Sequence, residues 1–451
     1  MDLPTLLAKY DTRLPRYTSY PTAPHFSAAV DGARYKQWLA AIPPDAPLSI
    51  YLHVPFCEEL CLYCGCNASV VRQTAPRLVY ADALCHEIRM VADAIGHRPR
   101  VTHIHWGGGT PTALPAVSLR AIMDLLRSRF DIAADAEIAI ELDPRHLPAD
   151  RLAAFPAMGV NRVSLGVQDF EPAVQQAIHR IQSFETTQDV ATQVRAHGIT
   201  SLNLDLMYGL PLQTTESVAA TARQALALNP DRIAVFGYAH VPWMKRHQAL
   251  LPEGQLPGTL ERFAQLQAVE RVLREAGYTA IGLDHYARPD DSLARAAAEG
   301  TMRRNFQGYT TDDAPTLLAF GASAIGALPQ GYAQNAAKTP AYIAAIRAGG
   351  LPVERGLALT ADDRFRADII QHIMCEGHVD LPAIAEAHGS DTACLAAAAP
   401  RLNDLAHDGL IHWTGTQIDV VPAGRPFVRA VAAAFDAYLT TGGAAAHARA
   451  I

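Results

Sequence analysis

SIYLHVPFCEELCLYCGC, residues 49–66, runs from a strand-like segment straight into four cysteines. Six more short β-branched or apolar runs follow: VTHIHW at 101–106, EIAIEL at 137–142, RVSLGV at 162–167, SLNLDLM at 201–207, RIAVF at 232–236 and YTAIGL at 278–283. Each has the length and composition of a strand. The segments between them, such as VYADALCHEIRMVADAI, VSLRAIMDLLRSRF, TTQDVATQVRAHG and ERFAQLQAVERVLREAG, carry helical periodicity, and the last two stop at Gly198 and Gly277. Strand and helix alternate, which predicts a parallel sheet with crossover helices.

Two architectures share that pattern, an open doubly wound sheet and a full or partial (β/α) barrel. The cysteines follow the first strand, Gly107-Gly108-Gly109-Thr110 the second, Glu141 and Asp143 the third, and Gln168 and Asp169 the fourth, while Asp205 lies near the end of the fifth. Reactive groups at the C-terminal ends of many strands converge on the mouth of a barrel; an open sheet gathers them at one switch point. The expected fold class is therefore α/β, a partial (β/α) TIM-like barrel over residues 46–345.

Residues 1–45 include LPRYTSYPTAPHF at 14–26, rich in Pro, Tyr and Thr with little periodicity. They read as an irregular N-terminal arm that could lie across the mouth as a lid. Beyond about residue 345 the composition turns Ala-rich and helical, and GLIHWTGTQIDVVPAG at 409–424 reads as a β-hairpin between helices. That order predicts a mainly helical, winged-helix-like domain over 346–451.

A length of 451 residues allows about three domains. Hydrophobic residues at 49% and charged residues at 18% fit an ordinary folded chain. The balance of 38 Lys and Arg against 45 Asp and Glu, net −7, argues against a nucleic-acid partner. From residue 360 onward six Arg and no Lys face eleven Asp and Glu, a local −5 that disfavours DNA reading by the C-terminal module. No apolar run approaches the roughly 20 residues of a membrane span. The N-terminus lacks a signal peptide's basic flank and long apolar centre, so a cytoplasmic location is expected.

Cys57, Cys61 and Cys64 are separated by three and two residues, with Cys66 two further on. Structural zinc usually takes two cysteine pairs parted by a longer loop. A disulfide relay favours a simple pair at a helix start, and inert buried thiols have no reason to cluster. An iron–sulfur cluster takes soft thiolates at such short spacings, and three ligands leave one iron of a [4Fe–4S] cube open to an outside ligand.

CEELCLYCGC resembles the cysteine motif of the radical S-adenosylmethionine superfamily, down to the aromatic Tyr63 before the third cysteine. The segments YTSYPTA (17–23), YLHVPFC (51–57), CGCN (64–67), HWGGGTPT (105–112), ELDPR (141–145), SLGVQDF (164–170), NLDLMYGLP (203–211), GYAHVP (237–242), DHYARPDD (284–291) and RNFQGYTT (304–311) narrow the resemblance to the oxygen-independent coproporphyrinogen III oxidases. It covers nearly the whole chain. It implies a [4Fe–4S] cluster on Cys57, Cys61 and Cys64, and two molecules of S-adenosylmethionine in one barrel. The resemblance assigns Tyr51, Gly108, Glu141 and Ile325 to the first molecule. To the second it assigns Tyr63, Gly109, Thr110, Gln168, Arg180, Asp205 and Ala239. The implied reaction is oxidative decarboxylation of two propionates of coproporphyrinogen III to vinyl groups, giving protoporphyrinogen IX, started by a 5′-deoxyadenosyl radical. A reducing donor such as flavodoxin or ferredoxin and a monomeric state are implied with it.

The site needs cationic or backbone donors for carboxylates and apolar walls for pyrroles. Arg16, with Tyr17 and Tyr20, is a candidate contact from the arm; His240, His285 and Arg304 are candidates at the mouth. Competing readings are a radical methyltransferase of the same subgroup, a haem chaperone, and a regulator using the C-terminal module. Cys66 and the YTSYPTA arm argue against the chaperone, since that related branch typically lacks both.

Overall fold

Period-two alternation decides which side chains each strand turns into the barrel. A computed structural model, which describes residues 2–439 and 449, builds one twelve-stranded sheet. Its strands in chain order are β1 (Leu48–Val54), β2 (Arg100–Gly108), β3 (Asp131–Leu142), β4 (Arg162–Gln168), β5 (Ser201–Tyr208), β6 (Arg232–Gly237), β7 (Thr279–Ile281), β8 (His285–Ala287), β9 (Thr316–Phe320), β10 (Ile325–Leu328), β11 (Gly331–Asn335) and β12 (Val353–Ala358). They lie side by side as β12-β11-β10-β9-β1-β2-β3-β4-β5-β6-β8-β7. The run from β9 through β1 to β6 is parallel, and both flanks are antiparallel. Among the described residues the edge strands β12 and β7 do not pair, so the barrel is partial, as expected.

Along β5, Leu202, Leu204 and Leu206 are buried in the core that packs on the crossover helices, while Asn203, Asp205 and Met207 take the other face. β3 repeats the pattern, with Ile138, Ile140 and Leu142 outside and Glu137, Ala139 and Glu141 inside. Each fully buried aliphatic side chain contributes about 1.5–3 kcal/mol. The barrel is thus apolar outside and polar within, where Arg162 pairs with Glu137 at 3.0 Å. The helices Phe184–Ala196 and Thr259–Glu275 end before Gly198 and Gly277, both in the left-handed region as their sequence signal requires.

Three expectations need correction. The run YTAIGL is a short antiparallel edge strand, Thr279–Ile281, rather than another parallel barrel strand. The sheet continues to Ala358, beyond the boundary set at 345, and the helical domain starts with the capped helix Ala361–Cys375. The arm is not wholly irregular, because it holds the helices Leu3–Tyr10 and Gly32–Ala40. Its Leu7, Leu14, Tyr17 and Tyr20 share one apolar core with Phe365, Ile369 and other residues of the C-terminal domain. In that domain the helices Ala361–Cys375, Leu381–His388 and Ala399–His407 pack with a three-stranded sheet that includes the expected hairpin, Ile411–Trp413 and Gln417–Val420.

One buried carboxyl braces the turn after β9. Glu87, 1% exposed on the helix Thr74–Ile95, accepts hydrogen bonds from Gly321 N–H at 2.8 Å, Asn335 Nδ2 at 2.6 Å and Tyr342 Oη at 2.6 Å. Replacement by Ala leaves Gly321 N–H and Tyr342 Oη without an acceptor, while Asn335 Nδ2 keeps only Gly321 O at 2.9 Å. Glu87→Ala is expected to cost about 3 kcal/mol of stability. Urea unfolding of the apo protein checks this, and an unchanged midpoint would count against the brace.

Candidate functional site

After β1 the chain enters a two-residue strand, Phe56–Cys57, that pairs in parallel with Ser69–Val70 and clamps both ends of the cysteine loop. Ser69 N–H donates to Pro55 O at 3.0 Å and Val71 N–H to Cys57 O at 3.1 Å. Carbonyls inside the loop are held from a distant segment. Lys245 Nζ donates to Cys66 O at 2.9 Å, Gln248 Nε2 donates to Tyr63 O at 2.9 Å, and His247 Nε2 lies 2.7 Å from Cys64 O. The thiols of Cys57, Cys61 and Cys64 line one cavity of about 480 Å³ at the mouth, and Cys66 lines it too.

The end of β2 presses against this loop. Gly109 N–H donates to Val54 O at 2.8 Å and Thr110 N–H to Phe56 O at 2.7 Å. A Cβ on Gly109 would sit 2.6 Å from Phe56 O and 3.0 Å from Cys57 Sγ. Gly108 has φ +110°, and a Cβ there would meet the His53 ring at 2.7 Å. Both positions exclude a side chain. Thr110 Oγ1 lies 3.8 Å from Cys57 Sγ.

The next strands supply polar groups. Glu141 accepts Gly108 N–H at 3.3 Å and lies 3.0 Å from His105 Nε2. Asp143, just past β3, is gripped by Arg145 at 2.7 Å and Arg180 at 3.2 Å. Burial works against its charge, yet Arg180 and Arg145 hold its carboxyl down to about 2. The same two guanidiniums reach Cys61 Sγ at 3.4 and 3.6 Å. β4 slips by one residue against β5 between Gly166 and Gln168, and Gln168 takes φ +70°, a bulge that carries its side chain to the mouth. Asp205 accepts from Ser164 Oγ at 3.0 Å and Asn203 Nδ2 at 2.9 Å. Burial first, then the Glu141 charge, push its carboxyl up to about 6.

Tyr63, Gly108, Gly109, Thr110, Glu141, Gln168, Arg180, Asp205 and Ala239 all line the cavity with the cysteines. Two expected residues do not. Tyr51 lies one layer deeper, its ring stacked on His105 with centroids 5.9 Å apart and its hydroxyl 3.0 Å from His53 Nδ1. Ile325 opens β10 just beyond the Gly321 turn. Arg16 also lines the cavity. Tyr17 and Tyr20 turn away to the C-terminal domain, where Tyr17 Oη donates to Asp436 at 3.0 Å and Tyr20 Oη accepts Ala437 N–H at 3.1 Å. His240 borders an adjoining cavity, His285 the barrel interior, and Arg304 a third cleft beside the arm. Arg145, Lys245, His247 and Gln248 escape the sequence reading. Arg145 has a local sign, two residues after Asp143, but nothing near the cysteines points to the segment at 245–248.

The donor set suits a cluster. Among the described residues no three Cys, His, Asp or Glu side chains converge on a single ion. A three-cysteine [4Fe–4S] cube needs no such convergence, because each thiolate takes a different iron. Arg145 and Arg180 point N–H groups at Cys61 Sγ, and the Cys66 N–H donates to Cys64 Sγ at 3.4 Å, as cluster sulfurs require of their surroundings. As a bare thiol Cys57 is pushed by burial up to about 12, so ligation displaces its proton.

Comparison with known proteins agrees with this geometry. A family model described as the radical SAM superfamily matches residues 51–225. An oxygen-independent coproporphyrinogen III oxidase from Bradyrhizobium diazoefficiens is 51% identical over 432 residues, covering 96% of each chain. One from Paracoccus denitrificans is 42% identical and likewise covers 96% of each. The solved structure of coproporphyrinogen III oxidase from Escherichia coli, a radical SAM enzyme, superposes with a TM-score of 0.91 at 41% identity, over 97% of this chain and 99% of that one.

Gly109→Ala is expected to force Phe56 and Cys57 apart from β2. Bound iron after anaerobic reconstitution should fall to about half or less of the wild-type content, with the circular dichroism unchanged. Full iron loading would show that the loop yields without loss.

Proposed function

Because this chain belongs to the oxygen-independent coproporphyrinogen III oxidases of the radical S-adenosylmethionine superfamily, we propose that the cavity behind Cys57, Cys61 and Cys64 is the centre of that reaction. The enzyme oxidatively decarboxylates two propionate side chains of coproporphyrinogen III to vinyl groups, for anaerobic haem biosynthesis. It uses a [4Fe–4S] cluster and S-adenosylmethionine. The observation that carries the site assignment is the meeting of three cysteines with polar residues from the ends of β2 to β6 on one cavity wall.

In this reading Cys57, Cys61 and Cys64 hold the cluster. When bound, the cluster and cofactor supply an electron and a hydrogen-abstracting 5′-deoxyadenosyl group. The chain's own part is placement. Gly108 and Glu141, with Tyr51 and Ile325, serve a first S-adenosylmethionine; Tyr63, Gly109, Thr110, Gln168, Arg180, Asp205 and Ala239 serve a second. Glycines at 108 and 109 let a ligand reach main chain. Asp205 and Glu141 offer carboxylate acceptors for ammonium or ribose hydroxyl groups. Arg145 and Arg180 keep Asp143 ionised and direct N–H groups at the Cys61 sulfur.

Each propionate that becomes a vinyl group gives up one hydrogen atom, CO₂ and one electron. The bound cofactor would take up the hydrogen, and an outside acceptor would take the electron. A small reduced protein such as flavodoxin or ferredoxin provides the priming electron, and the same reading makes the chain a cytoplasmic monomer. None of its described helices is long and apolar enough to cross a membrane.

The central test is anaerobic. Reconstituted protein with dithionite, S-adenosylmethionine and coproporphyrinogen III should yield 5′-deoxyadenosine and a porphyrinogen lighter by two successive losses of CO₂ plus two hydrogens. Cys61→Ala should yield neither by mass spectrometry, and deoxyadenosine without porphyrin product would displace the substrate.

Asp205 sets a pH signature. Its folded pKa near 6 exceeds the unfolded 3.8, so its contribution to folding is full below 3.8 and is lost as pH rises through 6. Binding runs the opposite way, since the carboxylate that accepts ligand hydroxyls forms only above about 6. Equilibrium dialysis should find S-adenosylmethionine bound more tightly at pH 7.5 than at pH 5.5, with a flatter profile for Asp205→Asn. Parallel profiles would remove Asp205 from the site.

A further inference from the structure

A second cavity, of about 400 Å³, adjoins the cysteine-lined one and shares Arg16, Gly237, Tyr238 and Ala239 with it. Its charge runs against that of the whole chain. Arg13, Arg16, Arg262, Arg429 and Arg449 border it, against Asp11, Glu253 and Asp284. Asp11 and Asp284 already have partners, and Glu253 is turned outward. Asp284 lies 2.7 Å from His285 Nδ1, and Asp11 accepts from Thr259 Oγ1 at 2.8 Å and lies 3.4 Å from Arg449. The side chain of Glu253 is 81% exposed.

Two of the arginines are built in and left open. Leu14 O and Pro15 O accept hydrogen bonds from Arg429, and Arg16 O accepts one from Arg304 Nε at 3.1 Å, so the arm is held where it presents Arg16 to both cavities. Arg16 Nη2 donates to Gly237 O at 2.9 Å. Arg262 comes from the first turn of the helix Thr259–Glu275, and two glycines make room for it. A Cβ on Gly209 would lie 3.2 Å from its Cζ, and one on Gly237 would lie 3.3 Å from its Nη2. Its Nε is buried without a partner. Among the described residues no carboxylate pairs with Arg16 or Arg262. Asp284 is the strongest charge acting on Arg16, and the Arg304 and Arg262 guanidiniums oppose it, so one carboxylate is shared among several cations.

An anion of fixed shape answers that deficit. Guanidinium forks match carboxylates bidentately, and Tyr208, Val235, Leu256 and Leu266 give the same cavity an apolar wall. A tetrapyrrole with four propionates presents both chemistries at once. We propose that Arg262 and Arg16 bind carboxylates of the propionates that are not reacting, so that the macrocycle sits across the two cavities and the reacting propionate extends toward the cysteines. This rests on the oxidase reading and deepens it by assigning substrate-binding residues.

The test separates the two. Coproporphyrin III, the stable oxidised macrocycle, is titrated against the full chain without cluster, and binding is followed by porphyrin fluorescence. Arg262→Gln and Arg16→Gln should each weaken binding about tenfold or more. Arg262→Lys, which keeps charge but loses the fork, should fall between wild type and Arg262→Gln. The tetramethyl ester should bind the wild type weakly and these variants no worse. In anaerobic turnover with coproporphyrinogen III the loss should appear as a raised KM. Matching melting temperatures exclude unfolding as the cause. Tetra-acid binding by the variants as tight as by wild type, in a preparation that turns over coproporphyrinogen III, overturns the arginine site. Arginine-dependent binding by a wild type that never turns over leaves the arginine site standing and overturns the oxidase reading instead.

Discussion

Two backbone hydrogen bonds, from Gly109 to Val54 and from Thr110 to Phe56, bring the end of β2 against the start of the cysteine loop. With Gly109 only a hydrogen atom away from Phe56 O and Cys57 Sγ, the loop and the glycine motif form a single wall. Cys57 and the main chain at Gly108 and Gly109 are then fixed relative to each other by covalent geometry and two short contacts rather than by flexible side chains. Such preorganisation matters where the chain must place a reactive carbon and does little of the bond chemistry itself.

Behind that wall the barrel is polar inside and apolar outside, and this much can be read from period two alone. In SLNLDLM the leucines predict the helix-facing side, and Asn203, Asp205 and Met207 fall on the inner side. The same counting places Glu141 inside and Ile140 outside. Strand-end position then takes most of the assigned residues to the mouth, which is why Thr110, Gln168 and Asp205 were legible. Tyr51 and Ile325 came from resemblance, and neither borders the cysteine cavity. One lies a layer down on β1 and the other beyond a turn that Glu87 and Tyr80 brace from a helix more than two hundred residues earlier.

What sequence could not disclose shares a physical cause, namely contacts between segments far apart in the chain. Arg145 stands next to Asp143 in sequence, but its reach to Cys61, 84 residues back, and that of Arg180 to Asp143 and Cys61, 37 and 119 residues back, have no sign in the spacing. Lys245, His247 and Gln248 reach back across about 180 residues to the carbonyls of Cys66, Cys64 and Tyr63. β9 to β12 escaped for a different reason. TLLAF and GYAQN are short, and the Gly and Ala around them blunt the strand signal. The compositional change near 345 reflects the helix Thr339–Arg347, which lies inside the sheet region and does not close it.

The arm shows how burial decides between a lid and a wall. Leu14, Tyr17 and Tyr20 are each no more than 5% exposed and belong to the C-terminal core. Swinging them into water would forfeit about 1.5–3 kcal/mol for each side chain. It would also strip Arg429 and Arg304 of the main-chain carbonyls at Leu14, Pro15 and Arg16, and hydrogen bonds to charged donors are worth about 1.5–3 kcal/mol each. The total, on the order of 10 kcal/mol, is far larger than a gating motion can draw from substrate binding on each turnover. The arm therefore stays in place as the wall through which the C-terminal domain holds Arg16 at the junction of the two cavities. The C-terminal domain, acidic overall, thus bears on the mouth through a buried cation, Arg429, which donates to the main chain of the arm.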